Sequence, residues 1–167
     1  MRSLLVIAAL LAVTALAADF EPVKYKACRS KFEVKSVEAI GCPKDAKQRC
    51  LFKRNSEPVI RIGFVPDRDV DALETKVRAK IEQTFSEFSL ENTNACKGQN
   101  VTCPLKAGQL YYYSQKVKVA EEYPTVNVLV NWLLNHPSTF EDPKYKDEEG
   151  NRNLNDLCIL FHAKVEA

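Results

Sequence analysis

The chain has 167 residues, of which 46% are hydrophobic and 28% charged, with a formal net charge of +2. A chain of this length forms one domain with a sizeable hydrophobic core. The near-neutral charge, without a long run of one sign, argues against nucleic acid as a partner.

The first 17 residues predict an export signal that is removed from the mature protein. Arg2 supplies a positive start, Leu4–Leu11 form an unbroken apolar run, and residues 15–17 (Ala-Leu-Ala) offer the small side chains that signal peptidase needs. A membrane anchor is the alternative, but the apolar stretch is short and no later segment of the sequence is long enough to span a bilayer. Residues 18–167 then form the mature domain, in which 23 basic residues (24 less Arg2) face 22 acidic ones.

Apolar residues recur at every second position over much of the mature chain, a period typical of strands with one buried face. In chain order, the predicted strands cover Phe32–Ile40, Val59–Val65, Tyr111–Val119, Val126–Trp132 and Leu157–Val165. Because Gly, Pro and Asn residues separate these strands, the pattern indicates an all-β protein built as an antiparallel β-sandwich.

The segment from Asp69 to Phe88 fits two structures. A helical spacing is shared by Val70, Leu73, Val77, Ile81 and Phe85. A strand spacing is also present, because Val77, Ala79 and Ile81 alternate with charged residues. The local pattern slightly favours the helix.

An acidic segment, Pro137–Asn155, is poor in apolar residues and predicts a long surface loop that connects two strands of a hairpin. Its clustered carboxylates suggest a calcium site as an alternative. Lys144 and Lys146 stand among the acidic residues and argue against that alternative, so we expect a solvated loop and no metal.

Six cysteines behind an export signal predict a disulfide framework rather than a metal site or a redox centre. They are Cys28, Cys42, Cys50, Cys96, Cys103 and Cys158. Six cysteines allow about 15 pairings, and this spacing favours two small loops and one long link between the ends of the domain. Asn100-Val101-Thr102 is an N-glycosylation sequon, which we expect to be used in an exported chain.

Enzyme chemistry finds no support in the sequence. His136 and His162 are the two histidines, and neither stands in a nucleophile, metalloprotease or phosphate-binding motif. With all cysteines paired, no thiol remains for catalysis. We therefore expect a protein that is not an enzyme and that needs no cofactor.

The order and spacing of several segments resemble the ML lipid-recognition family, which includes the Niemann-Pick type C sterol carrier and the mite group-two allergens. The similar segments are Val23–Cys28, Val37–Pro43 with Cys50, Cys96 with Cys103–Leu105, Tyr111–Pro124 and Val130–Trp132. The resemblance covers nearly the whole mature chain. It implies an immunoglobulin-like antiparallel β-sandwich with an apolar lipid cavity between the sheets.

The resemblance also implies a disulfide pairing, namely Cys28–Cys158, Cys42–Cys50 and Cys96–Cys103. It implies a strand over the ambiguous segment, with Val77, Ala79 and Ile81 pointing inward, and leaves a helical turn only at Asp69–Leu73. Three lipid-binding residues carry over from the family: Phe88, Val119 and Tyr123. Weaker candidates for the cavity wall are Ile81, Tyr111, Tyr113, Val130 and Trp132, the last expected in the core.

The function that the resemblance implies is a secreted or lysosomal carrier of lipid, with sterol as the preferred ligand. We expect a monomer that contacts membranes transiently and passes its ligand to a membrane sterol transporter. The main alternative is an extracellular recognition protein that presents lipid or glycolipid to a receptor. A secreted inhibitor with a filled core is a third possibility. Lysosome and extracellular fluid remain open as locations.

Overall fold

Two sheets pack face to face in the computed structural model, which describes residues 19–141 and 154–167. The predicted export signal lies outside these residues. The elements are β1 (Glu21–Pro22), β2 (Tyr25–Ala27), β3 (Glu33–Ile40), β4 (Cys50–Lys53), β5 (Val59–Val65), β6 (Glu74–Ile81), β7 (Thr84–Phe88), β8 (Tyr111–Lys116), β9 (Asn127–Asn135), α1 (Pro137–Glu141) and β10 (Leu157–Glu166).

The first sheet has the strand order β1-β3-β5-β8, and the second has the order β2-β10-β9-β6-β7. All of these neighbours pair antiparallel, whereas β4 adds to β10 in parallel. The predicted β-sandwich is confirmed. The predicted strand from Tyr111 to Val119 is shorter than expected, since β8 ends at Lys116.

Strand β3 explains why its apolar residues do not keep a single period. A bulge between Val34 and Ser36 shifts the register against β5. Before the bulge Phe32 is buried, and after it the buried positions are Val37 and Ala39, so the inward-facing residues change from even to odd numbers. A bulge adds one residue to a strand and therefore reverses the alternation beyond it.

The helical turn predicted at Asp69–Leu73 is wrong. Val70 forms an antiparallel bridge with Leu105, with N···O distances of 3.0 and 2.7 Å. The amide of Ala95 donates to the carbonyl of Leu73 at 3.0 Å. Val70 and Leu73 are both buried. Their backbone groups are hydrogen-bonded to residues distant in sequence, and these bonds take the place of the hydrogen bonds of a helix. The strand implied for the following residues is confirmed as β6.

The acidic segment begins with a short helix, which the predicted loop did not include. Pro137 opens α1, and His136 precedes it, with its ring Nδ1 accepting the amide hydrogen of Ser138 at 3.2 Å. Phe140 is buried against Leu133 and the disulfide that contains Cys158. Residues 142–153 of the predicted loop lie outside the described residues, and β9 and β10 pair as the two strands of the hairpin. In the described ranges, no helix has the length and apolar character needed to cross a membrane.

Three disulfides connect the sandwich with the pairing that the resemblance implied: Cys28–Cys158, Cys42–Cys50 and Cys96–Cys103. The first joins residues 130 positions apart and ties the end of β2 to the start of β10. The other two close short loops of separation 8 and 7. The Cys96–Cys103 loop also lies beside β8, because the carbonyl of Gln99 accepts the amide hydrogen of Ser114 at 2.9 Å.

Replacing the long disulfide should cost more stability than replacing a short one. Loop-closure entropy predicts a loss of about 5 kcal/mol for Cys28→Ser with Cys158→Ser, against about 2–3 kcal/mol for Cys42→Ser with Cys50→Ser. Urea unfolding of both double variants measures the difference. Equal losses would contradict the entropic account of the long link.

A second prediction concerns Gly63 in β5, which lies opposite Tyr112. A Cβ atom there would stand 2.7 Å from Ser36 Oγ and 2.9 Å from Tyr112 Cε1. We expect Gly63→Ala to lower the free energy of unfolding by about 1–2 kcal/mol. Adding Ser36→Ala should recover part of this loss, relative to Ser36→Ala alone, because it removes the closest clash. If Ser36→Ala recovered no stability, the contact with Ser36 Oγ would not be the cause of the loss.

Candidate functional site

An apolar cavity of about 300 Å³ lies between the two sheets. The second sheet contributes most of its wall through Val77, Ala79, Ile81, Val128, Val130 and Trp132. Ile60 of β5 faces them from the first sheet, and Val117 and Val119 follow β8. Phe52, Phe161 and Val165 close the wall on the side of β4 and β10.

The sequence leaves this space open because the inward-facing residues differ in size along the same strands. In the part of β6 that lines the cavity these residues are Val77 and Ala79, and β9 adds Val128 and Val130. Farther along β9 and β10, the inward positions are filled by large side chains such as Leu134, which is fully buried. Small and β-branched side chains reach less far from the sheet, so the sheets enclose a cavity instead of a filled core.

Beyond the inner end of the cavity, the space between the sheets is filled, and aromatic rings make up much of this core. Phe32 and Phe64 stack with their centroids 5.6 Å apart, and Tyr113 contacts Trp132 edge-on at 6.3 Å. All four side chains are buried. This packing gives the cavity a rigid inner end, since Trp132 belongs both to the aromatic core and to the cavity wall.

Two partly exposed aromatic residues stand at the mouth of the cavity. Phe88 at the end of β7 contacts Tyr123 edge-on, with the ring centroids 5.7 Å apart. The chain around Tyr123 is fixed by its backbone, because Arg54 Nε donates to the carbonyl oxygen of Tyr123 at 2.8 Å. Val119 is held in the same way, since its amide donates to the carbonyl of Ser56 at 3.0 Å.

Within the described part of the chain, the polar side-chain groups of the cavity wall stand beside the mouth, except for the buried indole Nε1 of Trp132. They are Ser86, Glu87 and Ser89, all exposed, together with the hydroxyl of Tyr123. The mouth therefore offers hydrogen-bonding groups to one end of a ligand, and the inner cavity offers only apolar surface and the Trp132 indole. A molecule with a long apolar body and one polar end fits this arrangement.

Tyr113 does not line the cavity, although it was a weaker candidate for its wall. Its hydroxyl accepts a hydrogen bond from Thr75 Oγ1 at 2.7 Å and donates one to Gln115 Oε1 at 3.0 Å. Burial raises the pKa of the Tyr113 phenol, which stays protonated. The alternation of β8 places Tyr113 inward as predicted, but Trp132 lies against its ring and the hydroxyl joins a buried polar chain.

The other predicted wall residues are brought together. Phe88, Val119, Tyr123, Ile81 and Val130 all line the cavity. Trp132, a weaker candidate that we expected rather in the core, lines it as well. Tyr111 packs against Phe64 at 6.2 Å and lies outside the wall.

The prediction missed Phe52, Ile60, Phe161 and Val165 as wall residues. Alternation within the predicted strands Val59–Val65 and Leu157–Val165 could have placed three of them on the inner face. Phe52 lies in β4, which no pattern in the sequence indicated, so only its position beside β10 brings it to the cavity.

Comparisons with known proteins agree with this fold. The family model described as ML domain matches residues 22–138, which is most of the chain. The chain belongs to the ML-domain family. This membership confirms the resemblance that the sequence motifs carried, and the family is a family of lipid-binding proteins.

Two curated relatives and one solved structure show how far the similarity extends. The chain is 36% identical over 155 residues to "Putative protein heh-1" of Caenorhabditis elegans, covering 90% of this chain and 91% of that protein. It is 30% identical over 135 residues to "NPC intracellular cholesterol transporter 2" of Mus musculus, covering 80% and 87%. The crystal structure of a Niemann-Pick type C2 protein from the Japanese carpenter ant superposes with a TM-score of 0.66, at 21% identity over 89% of this chain and 99% of that one. The ant structure supports the fold.

A larger side chain in the cavity wall should lower the affinity for lipid without lowering the stability of the fold. Ala79→Phe places a ring in the open space, so we expect the urea midpoint to hold or rise while lipid binding falls at least about tenfold, as a lost hydrophobic contact surface predicts. Ala27→Phe, at an exposed position of β2, is the matched control and should leave binding unchanged. Normal lipid binding by a folded Ala79→Phe variant would show that the cavity is not the binding site.

Proposed function

We propose that the protein is a lipid carrier that holds a sterol in the cavity between its sheets and exchanges it with membranes. The observation that supports the proposal most directly is the apolar cavity between the sheets, with the aromatic residues Phe88 and Tyr123 at its mouth. The relative from mouse is by its name a cholesterol transporter, which favours sterol within the lipids that such a cavity accepts.

The expected affinity follows from the area that a sterol would bury. About 300 Å² of apolar surface contributes roughly 7–8 kcal/mol at about 25 cal/mol per Å². Association entropy removes part of this, which leaves binding in the micromolar range or somewhat tighter. Such affinity lets a carrier take up a lipid and release it again.

The remaining expectations belong to the same proposal. The protein is exported and acts outside the cell or in the lysosome, as a monomer without enzymatic activity, and it passes ligand through transient membrane contact to a membrane sterol transporter. Three disulfides and no free cysteine among the described residues suit such an oxidising location. Asn100 is exposed, and we propose that it carries an N-linked glycan.

The recognition protein that presents lipid to a receptor shares this cavity and is the second candidate. A carrier moves lipid by itself, whereas a recognition protein needs its receptor. Sterol transfer between donor and acceptor liposomes, with purified protein alone, separates the two: acceleration over the spontaneous rate supports the carrier, and tight binding without acceleration supports recognition. The third possibility, an inhibitor with a filled core, is disfavoured by the cavity itself.

Binding of a fluorescent sterol tests the site directly. In delipidated protein with intact disulfides, we expect Phe88→Ala and Tyr123→Ala each to weaken binding about tenfold, because each removes a large contact at the mouth. Tyr112→Ala is the matched control, since Tyr112 is an aromatic residue 45% exposed on the outer face of the first sheet. Saturable binding with an unchanged affinity in both mouth variants would contradict the proposed site.

A further inference from the structure

Strand β7 is an open edge of the second sheet, and it also borders the cavity mouth. It covers Thr84–Phe88 and pairs only with β6 among the described strands. All of its residues before Phe88 are exposed, including the large side chain of Phe85. An exposed edge presents unpaired backbone groups to which another strand can be added. The lipid-carrier proposal gives this edge no role.

The register of the β6–β7 hairpin shows which backbone groups of β7 are unpaired. Ile81 and Thr84 are partners on either side of a two-residue turn, so they form a hydrogen-bonded pair. Because such pairs alternate with non-hydrogen-bonded pairs, the backbone groups of Ser86 point to β6, and those of Phe85 and Glu87 point to the open edge. In the described part of the chain, the N–H and C=O groups of Phe85 and Glu87 make no hydrogen bond.

This pattern of unpaired groups is complementary to itself. If a second copy runs antiparallel with its Ser86 opposite Ser86, then Phe85 of each copy lies opposite Glu87 of the other. These are the residues with unpaired groups, so each N–H meets a C=O of the other copy. Centring the pair on Glu87 would place two carboxylates opposite each other, which is unfavourable. Centring it on Phe85 would place Glu87 against Gln83 in the turn.

The side chains on the outer side of β7 favour the same register. The ring of Phe85 lies beside two cations of β6, with its centroid 5.0 Å from the guanidinium carbon of Arg78 and 5.5 Å from Lys80 Nζ. In the symmetric pair, the carboxylate of Glu87 of the other copy lies next to this ring and its cations. Opposite charges on neighbouring strands attract, and this match favours a second copy of the chain as the occupant of the edge.

We propose that two copies of this chain pair through β7 and that lipid passes between them. The pairing joins the two second sheets edge to edge, and the two-fold axis, which is perpendicular to the sheet, keeps their inner faces on the same side. Ser86 and Phe88 line the cavity mouth, so the mouths of both copies meet at this joint. The passage of lipid rests on the proposed carrier function, whereas the pairing does not.

The pair is transient, because the contact is small. The five residues of β7 span about 17 Å, and one strand edge of this length provides much less contact than the interface of a stable dimer. A carrier that is a monomer most of the time therefore meets a second copy, exchanges its lipid and separates again.

Cysteine cross-linking tests the register of the pair. In this register the two Ser86 Cα atoms are about 4.5 Å apart, a separation that a disulfide can bridge. The two Thr84 residues are displaced along the strands by about 13 Å, which is too far for a disulfide. Under mild oxidation of the folded protein, Ser86→Cys should form covalent dimers at least about tenfold faster than Thr84→Cys, the matched control on the same side of β7.

Exchanges at Glu87 test the contacts of the edge. Glu87→Pro removes an N–H that points away from β6, so the hairpin keeps its hydrogen bonds, and cross-linking through Ser86→Cys should fall at least about fivefold. Glu87→Lys should also lower it, and less at high salt, because the new cation faces Arg78 and Lys80 of the other copy. Equal rates for the two cysteine variants, or a rate that neither exchange at Glu87 lowers, would overturn the pairing and leave a strand of another protein as the partner of the edge.

Sterol exchange between copies tests the passage of lipid. When protein loaded with a fluorescent sterol is mixed with delipidated protein, the rate constant of exchange should rise with protein concentration, since the copies must meet. A rate constant that is independent of concentration would mean that the sterol crosses through water, and it would overturn the passage while sparing the carrier function. If the protein bound no sterol, the carrier function and the passage would both be wrong, and cross-linking would still decide the pairing.

Discussion

The cavity exists because the two sheets stay apart without side chains to fill the space between them. A gap lined by apolar groups loses van der Waals contacts, so the rest of the fold must hold it open. The aromatic core does so from the inner end, where Phe32 stacks on Phe64 and Tyr113 contacts Trp132. The Cys28–Cys158 disulfide adds a covalent link to the second sheet, which provides most of the cavity wall.

The mouth follows from the same constraint. Strand β7 is the edge of the second sheet, and its last residue, Phe88, meets Tyr123 from the chain after β8. No strand of the described residues pairs across this gap, and the side chains of Phe88 and Tyr123 stand at the mouth of the cavity. We expect a ligand to pass between Phe88 and Tyr123 by rotation of these side chains, without breaking a sheet hydrogen bond. Rotating two side chains costs less free energy than separating two paired strands, and this suits a carrier that must load and unload its ligand repeatedly.

Much of this architecture was readable in the sequence, and the failures have physical causes. Period-two alternation predicted β5, β9 and β10, and the inward-facing residues of all three strands are buried. The helical spacing was misleading at Asp69–Leu73, where hydrogen bonds to distant residues such as Leu105 take the place of those of a helix. The mouth residues came from family resemblance, since an inward aromatic in a sandwich looks the same whether it lines a cavity or fills a core. Tyr113 shows that limit: it points inward, yet it belongs to a buried hydrogen-bonded chain.

Photoaffinity labelling with a diazirine sterol is the most direct test of the central claim that the ligand lies between the sheets. After ultraviolet activation and proteolysis, mass spectrometry would locate the labelled residues. If the sterol lies between the sheets, the labels fall on inward-facing residues of the cavity wall, such as Val128, Val130 and Phe161, and are lost when unlabelled sterol competes. Competable labels on the outer faces of the sheets, with none on these residues, would contradict it.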